Sequence, residues 1–394
     1  MFILTINSKI NSFKFNLFNM NSKQSVASGN VSGIGLDAGG YTIKFSGQKI
    51  THEVVVNSHV DAARMILDKI VALDIIKEVD DIKAIGHRVI NGGEKYSSSV
   101  IINDEVIKDI EEFSIYVPLH QKANLLGIQA FREVVPNTTM VAVFDTAFYN
   151  NLDKEEYLYP VPYMWYKEYG IRKFGAHGIV HKHVTEKISK ILEKDELRII
   201  SCHIGNGVSV SAVNNMTCID TSMGFTPLTG AMMGTRSGDV DSSIIPFVME
   251  KEGKNALEVI EDLNKKSGLL GMSEVSSDMR DILSECDNGN ENAILAKNKY
   301  IRMIVDYIAK YYVLLGGCDV LTFTGGIGQN SSVIRSEICD KLSCLGVFID
   351  DEKNSVNDSF QKISSDSSSF DVYVVPKKED LFIANEVLDL IENR

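Results

Sequence analysis

The chain predicts a two-domain α/β protein whose halves are built alike, and three observations carry that reading. Its 394 residues exceed what one ordinary core accommodates. Short apolar or alternating runs with strand character are interleaved with helix-period segments in both halves. Each half also opens with a β-hairpin around a polar turn. Residues 2–6 and 13–18 enclose Asn7-Ser8-Lys9-Ile10-Asn11-Ser12, and residues 197–204 and 208–211 enclose Gly205-Asn206-Gly207. Paired α/β domains of this kind hold ligands in a cleft between them. Aromatic and proline residues cluster over 150–173, which places the domain boundary there and gives domains of 1–149 and 150–379.

The remaining elements follow in order. A third strand is expected at 33–36 or 41–45 and a fourth at 52–56. Residues 59–73 have helical spacing, and 82–89 read as a buried strand running into His87-Arg88-Val89-Ile90-Asn91-Gly92-Gly93. A helix over 125–134 precedes an apolar strand over 139–144 that stops at Asp145. In the second half a helix over 181–192 leads into the glycine hairpin, and a long helix covers 298–315. The strand 319–324 ends in Gly325-Gly326-Ile327-Gly328 and enters a helix near Ser331; a last strand at 372–375 and a helix at 381–391 finish the chain. The Ser-, Asp- and Asn-rich stretch 355–369 reads as solvated.

Forty Lys and Arg against 53 Asp and Glu leave a net charge of −13, which argues against nucleic acid or an anionic membrane as partner. Residues 1–15 lack a basic stretch followed by a long apolar core, and no window approaches 18 apolar residues, so neither a signal peptide nor a membrane span is expected. The six cysteines (Cys202, Cys218, Cys286, Cys318, Cys339, Cys344) show no metal-ligand spacing and read as reduced thiols of a cytoplasmic protein.

Four segments combine glycines, asparagines and cations at strand ends: 7–12, 87–93, 203–209 and 324–330. Strand ends are where ligands collect in α/β sheets, and glycines let backbone N–H groups approach an anion. The loop around Arg236 lies among small and acidic residues with no apolar period. The set points to phosphoryl transfer. A P-loop, a protein-kinase signature and a dinucleotide fingerprint are all absent from the sequence.

These segments together resemble the acetokinase family, within the sugar kinase/Hsp70/actin superfamily. The resemblance runs collinearly through HRVINGGEKYS (87–97), PLH (118–120), VFDTAF (143–148), HGIVHKHV (177–184), CHIGNGVS (202–209), DTSMGFTPLTGAMMGTRSGDVD (220–241), SGLLGMSEVSSDMRD (267–281) and TGGIGQNS (324–331). It implies an actin-like ATPase (ribonuclease H-like) fold with duplicated domains, the C-terminal helix from about 380 completing the first. It further implies a homodimer paired through the second domain, and direct transfer of the ATP γ-phosphoryl to acetate. By position, Arg88 and Arg236 correspond to the arginines on the carboxylate and the phosphoryl, His177 to the histidine on the phosphoryl oxygens, His120 to a supporting histidine, and Asp145 to the family aspartate beside them. Asn7 and Glu379 correspond to the positions linked to Mg²⁺, with Mn²⁺ as the alternative. Ser12, Lys14, His203, Gly205, Asn206, Gly207, Asp278, Met279, Arg280, Gly325, Gly326, Ile327, Gly328 and Asn330 fall at nucleotide positions. Ile90, Leu119, Ala176 and Pro227 fall at the acyl pocket.

The chain departs from the family in three places. The first loop, usually N-x-G-S-S-S-x-K, keeps Asn7, Ser12 and Lys14 but carries Lys9-Ile10-Asn11 where the glycine and two serines stand. Such a loss fits a catalytically weakened nucleotide-binding paralogue, an expectation opposed by the retention of Arg88, Asp145, His177, Arg236 and Glu379. Ala176 replaces a phenylalanine, which opens room for propionate or a longer acid. Gln329, and Lys377-Lys378, replace a glutamate and Thr-Asn near the nucleotide and the metal-linked glutamate.

Overall fold

The computed structural model describes residues 1–393; the side chain of Leu119 lies outside the described residues, and with it the acyl-pocket assignment made for Leu119. The chain divides into two compact units, one formed by Met1–Asn150 together with the C-terminal stretch from Lys378, the other by Asn151–Lys377.

The first unit is built on β1 (Phe2–Lys9), β2 (Ser12–Asn19), β3 (Gln24–Ser32), β4 (Gly40–Phe45), β5 (Gln48–Glu53), β6 (Ile82–Val89), β7 (Val100–Ile101) and β8 (Thr139–Phe144), in the order β5-β4-β3-β2-β1-β6-β8-β7. β1 to β5 form an antiparallel meander, whereas β6 joins β1, and β8 joins β6, in parallel. β1 and β6 sit mid-sheet and are buried almost throughout, so they read as continuous apolar runs. Helix His59–Ala72, capped by Ser58 accepting from the Asp61 N–H, and helix Pro118–Val134 add Ile66, Leu67 and Phe131 to a core shared with Phe13, Phe15 and Leu17.

The second unit repeats the scheme with β9 (Arg198–Ile204), β10 (Val208–Asn214), β11 (Thr217–Thr221), β12 (Val320–Thr324), β13 (Gln361–Lys362) and β14 (Asp371–Val374), ordered β11-β10-β9-β12-β14-β13. Here three antiparallel strands, against five in the first unit, are followed by two parallel additions, β9 to β12 and β12 to β14. Helix Glu291–Leu314 covers this sheet with Tyr300, Ile304 and Ile308.

Three strand expectations need correction. The third strand is β3 over 24–32, not 33–36, and 41–45 belongs to the fourth. Its sequence QSVASGNVS carries no apolar run; the strand is imposed by ladders to β2 and β4, with only Ala27 and Val31 buried. Gly29 permits the packing, since a Cβ there would meet the Thr42 carbonyl at 2.0 Å and the Phe15 ring at 2.8 Å. The strand expected at 52–56 is shifted to 48–53, because Ser46 (φ 46°) and Gly47 (φ 75°) close a two-residue hairpin between Phe45 and Gln48. β11 was not foreseen; Asn215 (φ 48°) and Met216 (φ 67°) form an equivalent turn with no glycine to signal it. The last of the four phosphate-type segments is also more regular than a loop, since Gly325–Gly328 forms a short helix.

The C-terminal helix Glu379–Glu392 closes the first unit by packing on β6, where Gly86 faces Ile383 and Val387. A Cβ at Gly86 would lie 2.7 Å from Val387 Cγ2 and 2.8 Å from Ile383 Cγ2. Gly86→Ala is therefore expected to lower stability by about 1–3 kcal/mol through overpacking, read as an earlier urea midpoint at unchanged slope. An unshifted midpoint would mean that the helix is not seated on β6.

Candidate active site

In the first unit the site grows from the end of β6. Arg88 donates to Asp145 Oδ2 at 2.5 Å and pairs through Nε with Glu379 Oε1 at 3.0 Å, all three side chains being largely buried. Asp145 follows β8 and is held by its N–H donating to the Val89 carbonyl at 2.8 Å; Glu379 opens the C-terminal helix. Burial disfavours the Arg88 cation, but the two carboxylates outweigh it and hold its pKa above the ordinary value. Two residues that sequence reasoning missed brace the segment after it. Asn124 Nδ2 donates to the Arg88 carbonyl at 3.1 Å while its Oδ1 accepts from the Ile90 N–H at 3.0 Å, and Gln121 Nε2 donates to the Asn91 carbonyl at 2.6 Å. Both lie on helix Pro118–Val134, three residues apart, a spacing legible only once the helix is placed over that strand end.

The first hairpin presents a polar face beside this cluster. Pairing of Asn7 with Lys14 and of Lys9 with Ser12 puts these four side chains on one face, opposite the face that buries Ile6 and Phe13. Lys14 pairs with Asp380, next to Glu379, at 2.9 Å. Asn11 fastens the tip by donating to the Ile34 carbonyl at 2.8 Å. Ile90 is half-buried and His120 exposed in the first turn of Pro118–Val134.

In the second unit the glycine hairpin gathers three predicted residues. His177 caps helix Gly178–Leu192 in a left-handed conformation (φ 61°, ψ 21°), and its Nδ1 lies 2.9 Å from Ser209 Oγ. A Cβ at Gly207 would stand 3.2 Å from His177 Cε1, 3.5 Å from His177 Nε2 and 3.7 Å from Arg236 Nη1. Gly207 thus leaves open a corner shared by the imidazole and the guanidinium. His203 lies behind, its ring centroid 4.4 Å from that of His177.

Arg236 sits in a tight loop closed by the Met233 N–H donating to its carbonyl at 3.1 Å. Gly268 (φ 64°) is pressed against that loop, where a Cβ would fall 2.2 Å from the Met233 carbonyl oxygen. The guanidinium donates to the Pro227 carbonyl at 3.2 Å and approaches Met233 Sδ at 3.6 Å; among the described residues no carboxylate pairs with it. Burial, uncompensated by an anion, accordingly lowers its pKa, although a guanidinium remains charged. Asn206 couples the two loops, its carbonyl accepting from the Gly234 N–H at 2.9 Å.

Beside the hairpin lies a cavity of about 710 Å³ lined by Gly205, Asn206, Asp278, Met279, Arg280, Gly326, Ile327 and Asn330, together with Ser277, Leu283 and Ser331. The last three were missed; Leu283 follows Met279 by one turn of helix Met279–Asp287, a spacing the sequence did offer. Asp278 caps that helix and is gripped by Arg280 through Nε at 3.0 Å and Nη2 at 2.5 Å, which with the cap bond holds its carboxyl down to about 2. Gly325 and Gly328 do not line the cavity; they are buried and form the short helix behind it. Gly326 has open space where a Cβ would be, so its backbone faces the cavity. Gln329 spans two segments, donating to Asp358 at 2.6 Å and accepting from the Lys377 N–H at 3.0 Å. Ala176 is buried and Pro227 half-buried near the hairpin's core.

The Acetokinase family profile matches residues 2–385. The chain belongs to the acetokinase family. An acetate kinase of Geobacillus sp. (strain WCH70) is 46% identical over 390 residues, covering 98% of each chain. The acetate kinase of Onion yellows phytoplasma is 45% identical over 394 residues, covering 100% of this chain and 96% of that protein. Among solved structures, acetate kinase from Porphyromonas gingivalis superposes with a TM-score of 0.95 at 39% identity, covering 99% of both chains. A propionate kinase from Francisella tularensis superposes at 0.93 with 38% identity, covering 98% of both. The acetokinase assignment makes this chain a phosphotransferase with the actin-like ATPase fold, and the family uses ATP and ADP as co-substrates. Among the described residues no helix is long and apolar enough to cross a membrane.

Two stability experiments follow from the site. His87 and His181 are wholly buried, and burial pushes each down to about 3. Unfolding lets both take up protons below their ordinary value near 6.5, so stability is full above that pH and is lost as pH falls towards 3. The loss should approach about 1.4 kcal/mol per pH unit per histidine, measured as urea midpoints from pH 7 to 4, and His181→Asn should flatten the slope by half. Because His177 holds a left-handed backbone, His177→Gly should be more stable than His177→Ala by about 1 kcal/mol, both having lost the imidazole.

Proposed function

We propose that this chain is an acetate kinase, catalysing the reversible reaction of ATP and acetate to acetyl phosphate and ADP. A carboxylate oxygen of acetate attacks the γ-phosphorus in line, the bond from that phosphorus to the β,γ-bridging oxygen breaks, and ADP leaves with the electron pair. The observation that carries the reading is the corner at Gly207, where Arg236 and His177 meet and the buried guanidinium has no carboxylate partner among the described residues. A cation so placed favours an incoming anion, and a phosphoryl group in transit spreads charge over oxygens that a planar donor fork and an N–H stabilise.

Arg88 has the converse role. One guanidinium meets two buried carboxylates there, Asp145 and Glu379. Among the described residues no three His, Cys, Asp or Glu side chains converge on a metal by themselves. Mg²⁺ keeps waters and substrate phosphates and needs only one or two protein oxygens, which Asn7 and Glu379 would supply, with Mn²⁺ as alternative. When bound, the ion neutralises charge on the phosphates. Arg88 orients the acid's carboxylate, Asp145 fixes Arg88, and His120 supports the transition state. The 710 Å³ cavity takes the adenosine side of ATP, while Ser12, Lys14, His203 and the Gly205–Gly207 backbone contact its phosphates.

Ala176 supports a second acceptor, propionate or another short acid, since a methyl stands where the resemblance puts a phenylalanine of the acyl pocket. The likeness to a propionate kinase structure supports the same alternative. Exposed Tyr163, Met164, Trp165 and Phe247 support pairing as a homodimer through the second unit. Six free cysteines support a cytoplasmic setting.

A hydroxamate assay with ATP, Mg²⁺ and acetate, propionate or butyrate tests the proposal. Acyl hydroxamate should form with the wild type, and Arg236→Ala should lower kcat by about 10³-fold or more. Ala176→Phe should shift kcat/KM from propionate towards acetate by about 10-fold or more. No product with any short acid would leave the chain a nucleotide-binding paralogue; an unaltered preference in Ala176→Phe would remove the widened pocket.

A further inference from the structure

Behind His177 lie three polar side chains to which the reaction assigns no task. His181 on helix Gly178–Leu192, Ser201 on β9 and Ser209 on β10 are each 0% exposed. They form one chain of contacts with His177. Ser201 Oγ lies 2.8 Å from His181 Nδ1, His181 Nε2 lies 2.8 Å from Ser209 Oγ, and Ser209 Oγ lies 2.9 Å from His177 Nδ1. His181 comes one helical turn after His177, so both rings reach the same side of the β9–β10 hairpin.

The protons along this chain can be counted. Burial keeps His181 neutral, so it carries one N–H, and each serine hydroxyl has one proton. Among the described residues Ser201 Oγ has only His181 as a hydrogen-bond partner, and Ser209 Oγ has only the two imidazoles. Suppose Ser209 donates to His181 Nε2. His181 must then carry its proton on Nδ1 and direct it at Ser201, whose own hydroxyl proton is stranded. Suppose instead that both imidazoles donate to Ser209; the Ser209 proton is then stranded. Only one polarity uses every proton: Ser201 donates to His181 Nδ1, His181 Nε2–H donates to Ser209, and Ser209 donates to His177 Nδ1. A stranded donor on a side chain that is 0% exposed is costly, so this polarity prevails.

We propose that Ser201, His181 and Ser209 are positioning residues whose one-way hydrogen-bond chain holds His177 as its Nε2–H tautomer, so that a neutral N–H donor faces the corner it shares with Arg236. The proposal rests on the phosphoryl-transfer reading of that corner, where Nε2 and Arg236 Nη1 flank Gly207. The other groups facing the two rings are the Arg236 guanidinium, beside His177 at Gly207, and His203, whose ring centroid lies 4.4 Å from that of His177 and 6.4 Å from that of His181.

The tautomers can be read directly from long-range ¹H–¹⁵N spectra of the full chain labelled with ¹⁵N-histidine, without nucleotide or acid, the His181 signals being identified by their loss in His181→Asn and those of His177 by their loss in His177→Gly. The wild type should show both His177 and His181 protonated at Nε2. Ser209→Ala, checked for folding by its thermal midpoint, should move His177 to the Nδ1–H form or a mixture. Its kcat in the hydroxamate assay should fall by about 10–100-fold, with KM for acid and nucleotide little changed. Ser209→Thr, which keeps the hydroxyl, should restore both. Ser201→Ala removes the donor at the far end and should scramble the His181 tautomer, which serves as the independent variant should Ser209→Ala not fold. An Nδ1–H His177 in the wild type, or a Ser209→Ala enzyme with unchanged tautomer and turnover, overturns the proposal. Because the spectra need no substrate, a chain that forms no acyl phosphate would sink the functional reading and still report the polarity.

Discussion

What each unit offers chemically depends on how its own buried guanidinium is neutralised. In a chain with a net charge of −13, carboxylates are plentiful, yet Arg236 is placed where none pairs with it among the described residues, while Arg88 is given two. The contrast sets what each can bind. Arg88 is held by Asp145 and Glu379 in a buried cluster whose charge-assisted hydrogen bonds are directional. Arg236 leans on a carbonyl and a thioether, which hold its position without cancelling its charge. Removing a charge from water is costly, and a site that leaves the cost uncompensated in the free protein recovers it when an anion arrives.

Keeping Arg236 in place without an ion pair falls to the backbone, and the unusual conformations cluster accordingly. Gly268 is left-handed and lies against the carbonyls of Met233 and Arg236, and Gly234 makes room for Asn206. His177 is left-handed without being glycine, a conformation that costs stability and persists only where surroundings impose it. The first unit uses another device. There the side chains of Gln121 and Asn124 replace missing backbone partners after β6, so the segment carrying Arg88 is fixed by amides and needs little strain.

How much of this was legible in the sequence depends on what enforces each part. β1, β6, β8 and β9 are mid-sheet strands buried on both faces, and their apolar runs disclose them. β3 and β11 are held by their neighbours, so QSVASGNVS and a turn through Asn215 and Met216 give little local signal. Residues in the glycine motifs that line the cavity were readable because backbone access demands glycine there. Asn124, Gln121, Ser201 and His181 were not, because their task is to satisfy a partner distant in sequence, and nothing in their own neighbourhood encodes it.

The choice of partner behind His177 also bears on chemistry. A carboxylate at Nδ1 would stabilise the imidazolium, raise the basicity of the ring and suit it to taking a proton, as in serine hydrolases. Here Nδ1 meets a hydroxyl that is itself tied to a neutral, buried histidine. Such a partner stabilises a charge poorly and suits the ring to donating a hydrogen bond. That is what the proposed reaction asks for. The nucleophile is already a carboxylate and needs no base, while the phosphoryl oxygens gain from a donor that keeps its proton throughout transfer. A hydroxyl relay in place of a carboxylate therefore makes physical sense only if His177 stabilises charge and does not shuttle protons.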